Sequence, residues 1–201
     1  MSHEHHKPAS FHSSPREAMQ SPPEEFLYLA CLHEGTGVNA PDFLAVVDAE
    51  GGRIVHELPM PNMGDELHHY GWNRCSSACH GPDRSHLIVP GFRSSRIHII
   101  NVADDPRKPR IEKVIEPQEL IEKTGYTRPH TVHCMPGENV VISMLGDADG
   151  NGVGGFAPLF IASTCRHSCS QPAKPCRAAR SRRASSRLTP LTEAIPLARS
   201  S

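Results

Sequence analysis

A pattern of strand, turn and strand recurs about every 50 residues along the chain, and this period constrains the fold more than any other feature. The apolar run at residues 43–48 returns 54 positions later at residues 97–102. The run at residues 87–89 returns 53 positions later at residues 140–142. A period of this length, with three or four strands in each repeat, is typical of β-propeller blades. We therefore expect an all-β fold, a partial β-propeller with about three blades of a seven-bladed type.

The composition agrees with many short strands and turns. Hydrophobic residues make up 37% of the chain, which also holds 15 glycines and 19 prolines. The pair Gly51 and Gly52 predicts a hairpin turn. Pro117 followed by acidic residues predicts a short helix at residues 117–123. Strands are predicted at residues 25–32, 42–48, 53–58, 86–90, 95–102, 110–115, 139–144 and 155–156.

The charge distribution divides the chain into a main part and a tail. Residues 1–159 carry 13 basic and 21 acidic residues, whereas residues 160–201 carry 8 basic residues and one acidic residue. We expect a flexible extension at residues 1–24 and a partial propeller at residues 25–157. Residues 158–201 are predicted to be a disordered basic tail of low complexity.

Three origins of this tail are considered. Its arginines are consistent with a nucleic-acid-binding arm. Its cysteines and histidine are consistent with a metal knuckle, and its Arg/Ala/Ser/Pro bias with translation out of frame. We favour the frameshift, and no nucleic-acid partner is expected. The knuckle would use Cys165, His167, Cys169 and Cys176.

Two stretches concentrate side chains that bind metals. The first holds His68 and His69, and the second holds His130 and His133. Each stretch follows the last strand of one predicted repeat and precedes the first strand of the next, so we expect both as loops on one face of the fold. Imidazole nitrogen is a ligand for zinc, copper and iron. One interpretation is therefore a shared metal site, and the other is a set of hydrogen-bonded loop histidines without a metal.

Spacing limits which of these histidines can converge. Neighbouring residues in an extended strand point to opposite faces, so at most one of His68 and His69 is expected to be a ligand. His130 and His133 would converge on a helical turn or a tight loop, whereas a strand would separate them.

Cys75 and Cys79 are candidate thiol or selenium sites beside the first histidine pair. Their C-x₃-C spacing has no second pair, so a zinc ribbon is not expected. The alternative for both residues, and for Cys134, is a small packed side chain without chemistry. Seven cysteines without a visible secretory signal favour reduced thiols over a disulfide framework.

Several function classes lack their sequence signature. No run of 18 apolar residues predicts a membrane span, and a cytoplasmic protein is expected. Residues 25–157 hold no glycine-rich phosphate loop and no Ser/His/Asp arrangement. Residues 147–152 begin like a calcium loop, but its twelfth position would be Pro158 rather than an acid. A glycine-rich turn is expected there.

Several short segments carry a family resemblance. They include Ser-Pro-Arg-Glu-Ala-Met at 14–19, Ala-Pro-Asp-Phe-Leu-Ala at 40–45, Leu-Pro-Met-Pro-Asn at 58–62, Asp-Glu-Leu-His-His at 65–69, Gly-Trp-Asn at 71–73, Ser-Ser-Arg-Ile at 94–97 and Lys-Val-Ile-Glu-Pro at 113–117. On these segments the chain resembles the selenium-binding protein family, whose members include methanethiol oxidases. The similarity covers about residues 14–157.

This resemblance implies an enzyme that oxidises methanethiol with oxygen and water to formaldehyde, hydrogen sulfide and hydrogen peroxide. It implies copper as the metal, with His68, His69, His130 and His133 as its ligands. It also implies selenium binding, which in animal members is linked to a cysteine in the segment that matches residues 49–55. That segment holds no cysteine here, so covalent selenium attachment at that position is not expected.

The resemblance also implies proteins more than twice as long, with further blades after residue 157. Three blades cannot close a ring, and open sheet edges expose backbone groups and apolar side chains. We therefore expect a truncated chain that is unstable or prone to aggregation and that lacks oxidase activity. The alternative is a selenium- or metal-binding protein without turnover.

Overall fold

The computed structural model of the chain describes residues 15–20, 22–74, 84–135 and 139–160. Neither helix in this part of the chain is long and apolar enough to cross a membrane. The elements are α1 Pro15–Ala18, β1 Phe26–Cys31, β2 Phe43–Asp48, β3 Arg53–Pro59, β4 Gly71–Trp72, β5 His86–Pro90, β6 Ile97–Asn101, β7 Arg110–Ile115, α2 Pro117–Thr124, β8 Tyr126–Met135, β9 Asn139–Asp147 and β10 Gly155–Phe160.

The strands form three antiparallel sheets, none of which closes on itself. Sheet 1 contains β1, β2 and β3, sheet 2 contains β4 to β7, and sheet 3 contains β8, β9 and β10. Strands that are consecutive in the sequence are neighbours in each sheet, as is usual for antiparallel meanders. The prediction of a mostly β structure is confirmed, and the three sheets follow the order of the three predicted repeats.

The turn between β2 and β3 shows how the sequence sets a hairpin. Gly52 has a φ of +62°, a backbone conformation that glycine adopts without steric cost. Its N–H donates to the Asp48 carbonyl at 2.8 Å. The Asp48 carboxylate also accepts a hydrogen bond from the N–H of Glu50 at 3.2 Å. The hairpin predicted at the glycine pair is confirmed.

Helix α2 is also confirmed. It begins at Pro117, whose fixed φ suits the first helical turn. It ends at Thr124 and is capped by Gly125, which has a φ of +71° and donates its N–H to the Ile121 carbonyl at 2.8 Å. Leu120 is the residue of this helix that is buried, against the apolar cluster of sheets 2 and 3.

Two apolar clusters lie between the sheets. The first joins sheet 1 to sheet 2 around Leu44, Leu87 and Ile100. The second joins sheet 2 to sheet 3 around Ile88 and Ile142. Sheet 2 is covered on both faces, and β5 and β6 are accordingly buried along their whole length. The sheets therefore stack in series, with sheet 2 in the middle.

Strand β8 differs from the prediction. The sequence predicts a loop around His130 and His133, but both residues lie in β8, which pairs with β9. This segment contains an Arg-Pro-His-Thr stretch and has no continuous apolar run, so its sequence does not indicate a strand. Pairing with β9 and burial of alternate residues against sheet 2 determine its conformation.

The boundaries of the main part also differ in detail. Helix α1 lies inside the extension predicted to be flexible. Strand β10 continues to Phe160, beyond the predicted end of the propeller part at residue 157. The remainder of the predicted tail lies outside the described residues.

Candidate metal centre

The segment at residues 65–69 carries the first two histidines and is fastened to the loop between β5 and β6. The N–H of His68 donates to the Pro90 carbonyl at 2.9 Å. The N–H of Phe92 donates to the Glu66 carbonyl, also at 2.9 Å. These bonds fix the backbone of a segment that has little regular structure of its own.

Backbone geometry turns His68 and His69 to the same side. His69 has a φ of +33°, outside the extended region, so the alternation of a strand is broken at this residue. The two rings stack with centroids 5.0 Å apart and planes 12° apart. The expectation that the pair points to opposite faces is wrong for this reason.

His130 reaches the same place from strand β8. A β-bulge lies between Pro129 and Val132, and the N–H of Val132 donates to the His69 carbonyl at 3.3 Å. The His130 ring centroid is 4.0 Å from that of His69 and 4.9 Å from that of His68. The two predicted stretches therefore do meet in space.

His133 does not join this group. It stands in register with Val141 of β9, is exposed, and places its Nδ1 2.8 Å from the Cys134 carbonyl oxygen. Its neighbours Val132 and Cys134 point the other way, into the core. The β-bulge between Pro129 and Val132 interrupts the alternation of side chains between His130 and His133, so strand periodicity does not decide on which side His133 lies. Of the four histidines predicted as ligands, the structure brings His68, His69 and His130 together.

The donor atoms of the three histidines fit a small metal ion. One nitrogen from each of His68, His69 and His130 lies within 4.8 Å of the other two. The His68 Nδ1 is buried and has no hydrogen-bond partner in the described structure. Such an atom is costly to bury unless something binds it. The His130 Nδ1 lies 3.0 Å from the Thr131 Oγ1, which orients the ring and leaves its Nε2 free to bind a metal.

Electrostatics favour the neutral form of His130. Burial lowers the pKa of His130 below its ordinary value, and the neighbouring His69 and His68 lower it further. A metal ligand must be unprotonated, so a lowered pKa makes the site competent at a lower pH.

Phe92 forms an apolar wall beside the rings. Its centroid lies 5.7 Å from that of His68 and 5.9 Å from that of His130. His69 is exposed, whereas His68 and His130 are half-buried. The cluster therefore has one closed side and one side open to solvent.

Asp65 is a buried carboxylate below the cluster. Its Oδ1 accepts a hydrogen bond from Arg96 Nη1 at 3.2 Å, and its Oδ2 lies 3.4 Å from His98 Nε2. Burial alone would raise the pKa of Asp65, but the neighbouring side chains of His98, Ser94 and Arg96 hold it below its ordinary value. This ionic group anchors the segment that carries His68.

Four residues other than glycine, in or near the cluster, have a positive φ. Ser95 accepts a hydrogen bond at its Oγ from the N–H of Arg128 at 3.0 Å, and so joins the loop after β5 to β8. Such conformations cost free energy and concentrate at functional sites. Sequence reasoning missed them because a left-handed conformation of an ordinary residue has no sequence signal. The four are Glu66, His69, Ser95 and Arg128, with φ between +33° and +62°.

Cys75 and Cys79, the candidate thiol or selenium sites, lie outside the described residues. Cys31 and Cys134 lie within them, Cys31 half-buried and Cys134 buried. Cys134 is buried and packs as the alternative interpretation expects. Trp72 packs edge-on against Tyr28 with centroids 5.7 Å apart, so it belongs to the core between sheets 1 and 2.

Comparison with known proteins places the chain in a family. The sequence profile of the 56 kDa selenium-binding protein matches residues 4–166. The chain belongs to the 56 kDa selenium-binding protein family. Curated relatives in this family include a methanethiol oxidase of Xenopus laevis, 49% identical over 156 residues, and one of Homo sapiens, 47% identical over 156 residues.

The X-ray structure of a hypothetical selenium-binding protein from Sulfolobus tokodaii has the same architecture. It aligns with a TM-score of 0.71 and 47% sequence identity, and covers 78% of this chain and 36% of that one. The methanethiol oxidases match 74% of this chain, which corresponds to 33% of their own length. The chain thus spans about a third of the length of the selenium-binding relatives it matches.

Proposed function

We propose that His68, His69 and His130 hold a copper ion and form part of the site of a methanethiol oxidase. The observation that carries this proposal is the convergence of three imidazole donors within 4.8 Å of one another. All three belong to segments that match relatives named methanethiol oxidase. His133, implied as a fourth ligand by the resemblance, is left out because it does not belong to the group of converging donor atoms.

Each residue of the cluster has a separate task in this proposal. His68 contributes its unpartnered Nδ1, and His130 contributes the nitrogen that Thr131 leaves free. Phe92 keeps water from one side of the rings. The exposed side at His69 is where a small thiol would enter. Copper, when bound, would supply one-electron chemistry towards a soft sulfur ligand.

The reaction that follows from the family is balanced without a further reductant. Methanethiol, oxygen and water give formaldehyde, hydrogen sulfide and hydrogen peroxide. Carbon is oxidised, oxygen is reduced by two electrons, and the carbon–sulfur bond breaks. Oxygen as co-substrate stays a prediction from the resemblance, and a cytoplasmic location stays a prediction from the sequence.

We further propose that the described part of the chain binds copper but does not complete turnover. Oxidation of a bound thiol needs a site closed against water, because closure strengthens the electrostatic interactions inside it. Among the described residues, Phe92 closes one side and nothing covers His69 on the other. The same proposal treats the three stacked sheets as consecutive blades of a propeller.

Copper content and hydrogen sulfide release test this proposal together. The purified chain, loaded with copper and freed of excess metal, is expected to retain copper and to release no more hydrogen sulfide from methanethiol than a copper-free sample. Failure to retain copper would overturn the ligand assignment. Sustained release of hydrogen sulfide would overturn the statement that turnover is incomplete.

The second candidate is a selenium- or metal-binding protein with no part in thiol oxidation. The family description, which names selenium binding, favours it. Elemental analysis of the same sample after exposure to selenite and copper separates the two. Stoichiometric selenium without copper supports this candidate, whereas copper without selenium supports the copper site.

A further inference from the structure

The outer face of sheet 1, which points away from sheet 2, is apolar and exposed. Leu27 is 46% exposed, and Ile54 is 56% exposed. Leu27, Val47 and Ile54 stand opposite one another in register across β1, β2 and β3. We name these three residues the outer row. Leu29, which is 47% exposed, extends this apolar face along β1.

Sheet 2 contains an apolar row that is equivalent to the outer row of sheet 1. A β-bulge interrupts strand pairing after Val46 in sheet 1, and the corresponding bulge follows Ile99 in sheet 2. Bulges mark register, so they identify equivalent positions in two repeats. Alignment of the two bulges superposes the outer row on Leu87, Ile100 and Ile111.

In sheet 2 this row is covered by another sheet. Leu87 and Ile100 are fully buried and pack with Ile111 in the cluster between sheets 1 and 2. In sheet 2, this row is therefore the surface on which the neighbouring sheet packs. Among the described residues, no sheet lies on the outer row of sheet 1.

At the other end of the stack, sheet 3 has a complementary face that no sheet covers among the described residues; we name it the free face. Phe156 is 40% exposed and Leu145 is 46% exposed. Val141 and Pro158 pair in register on the same face. The equivalent face of sheet 1 packs on sheet 2, and the equivalent face of sheet 2 packs on sheet 3. The free face of sheet 3 is thus built to cover a row of this type.

We propose that the outer row of sheet 1 docks on the free face of sheet 3 in a second copy of this chain. The contact would repeat the sheet-on-sheet packing that each copy already makes twice. Sheet 2 separates sheets 1 and 3, so one copy cannot make this contact with itself. The two surfaces differ, so the contact is head-to-tail and either closes as a ring of two copies or extends as a filament. This inference is independent of the metal site.

Two variants of the full chain test the contact, because each removes one side of it. Leu29→Lys places an ammonium group on the face of sheet 1, and Phe156→Lys places one on the face of sheet 3. Burial of an unpaired charge is costly, so each variant alone is expected to associate at least roughly 100-fold more weakly than the natural chain in sedimentation velocity. An equal mixture of the two variants is expected to form a heterodimer and nothing larger, because each chain keeps one intact surface.

Val153→Lys is the matched control, since Val153 is 71% exposed on the hairpin after β9 and belongs to neither face. It is expected to associate like the natural chain. Circular dichroism checks that all variants remain folded, and Leu27→Lys replaces Leu29→Lys if that variant does not. A natural chain that stays monomeric at all concentrations would overturn the proposal and assign the face to another part of the chain or another protein. A mixture that gives no heterodimer would overturn the head-to-tail arrangement.

Discussion

The side-chain oxygen of Ser95 accepts a 3.0 Å hydrogen bond from the backbone N–H of Arg128, and both residues have a positive φ. This bond joins the loop that fastens His68 to the strand that carries His130. Two segments far apart in the sequence therefore keep a fixed separation. Both residues have a strained backbone, as is typical of residues that hold a functional site in place, here the histidine cluster.

Removal of the Ser95 hydroxyl is expected to weaken metal binding without unfolding the chain. Residues that orient metal ligands indirectly typically contribute about 10-fold to 100-fold in affinity, so Ser95→Ala should lose about 10-fold in copper affinity measured by competition with a chelator. Ser95→Gly relieves the positive φ and should be more stable than Ser95→Ala by up to about 1 kcal/mol. It should nonetheless bind copper as weakly as the alanine variant. Recovery of copper affinity in the glycine variant would show that the alanine variant binds weakly because of backbone strain and not because the hydroxyl is lost.

Gly71→Ala is expected to separate β4 from β8. A Cβ at Gly71 would lie 2.9 Å from the Val132 carbonyl oxygen, and Val132 also donates its N–H to His69. The added methyl group should therefore cost about 1–3 kcal/mol of unfolding free energy and weaken copper binding. Gly152→Ala is the control, because its Cβ meets nothing within 4 Å. Equal effects of the two substitutions on copper affinity would contradict the packing argument.

Asp65 is expected to make stability depend on acid pH. Its pKa is lowered in the folded state from the ordinary value of 3.8. A carboxyl with a lowered pKa contributes stability that is present above its unfolded value and is lost as the pH falls through the folded value. The free energy of unfolding should therefore drop below about pH 4 in the natural chain, and Asp65→Asn should flatten this drop.

Denaturant titrations at neutral and acid pH measure this effect. At neutral pH Asp65→Asn should cost about 3 kcal/mol, because Arg96 and His98 lose a buried carboxylate partner. Asp104→Asn, at an exposed pair with Arg110, should leave the free energy of unfolding close to that of the natural chain. If the free energy of unfolding of Asp65→Asn falls at acid pH as it does in the natural chain, the pH dependence belongs to other groups.

Much of the fold could be predicted from the sequence because local and tertiary preferences agree. Strands β5 and β7 coincide with their predicted runs, since β-branched residues at these positions are both strand-forming and core-forming. Helix α2 follows from Pro117 at its start. Strand β8 could not be predicted, because its polar and proline-containing sequence becomes a strand through pairing with β9.

The candidate site could be predicted in part. The sequence identifies both histidine stretches and places them side by side. Which histidines converge depends on the positive φ of His69 and on the strand conformation of β8, and neither has a sequence signal. The first brings His69 into the cluster beside His68, and the bulged strand β8 brings His130 to it without His133.

Copper binding by His130→Ala and His133→Ala tests the central claim most directly. The two histidines lie three residues apart on β8, and His130 belongs to the convergent group whereas His133 does not, so each controls for the other. Equilibrium dialysis against a copper chelator should show a loss of roughly 100-fold or more in affinity for His130→Ala, because a ligand is removed. His133→Ala should stay close to the natural chain. An equal loss in both variants, or undiminished binding in His130→Ala, would contradict the assignment of His68, His69 and His130 as the metal site.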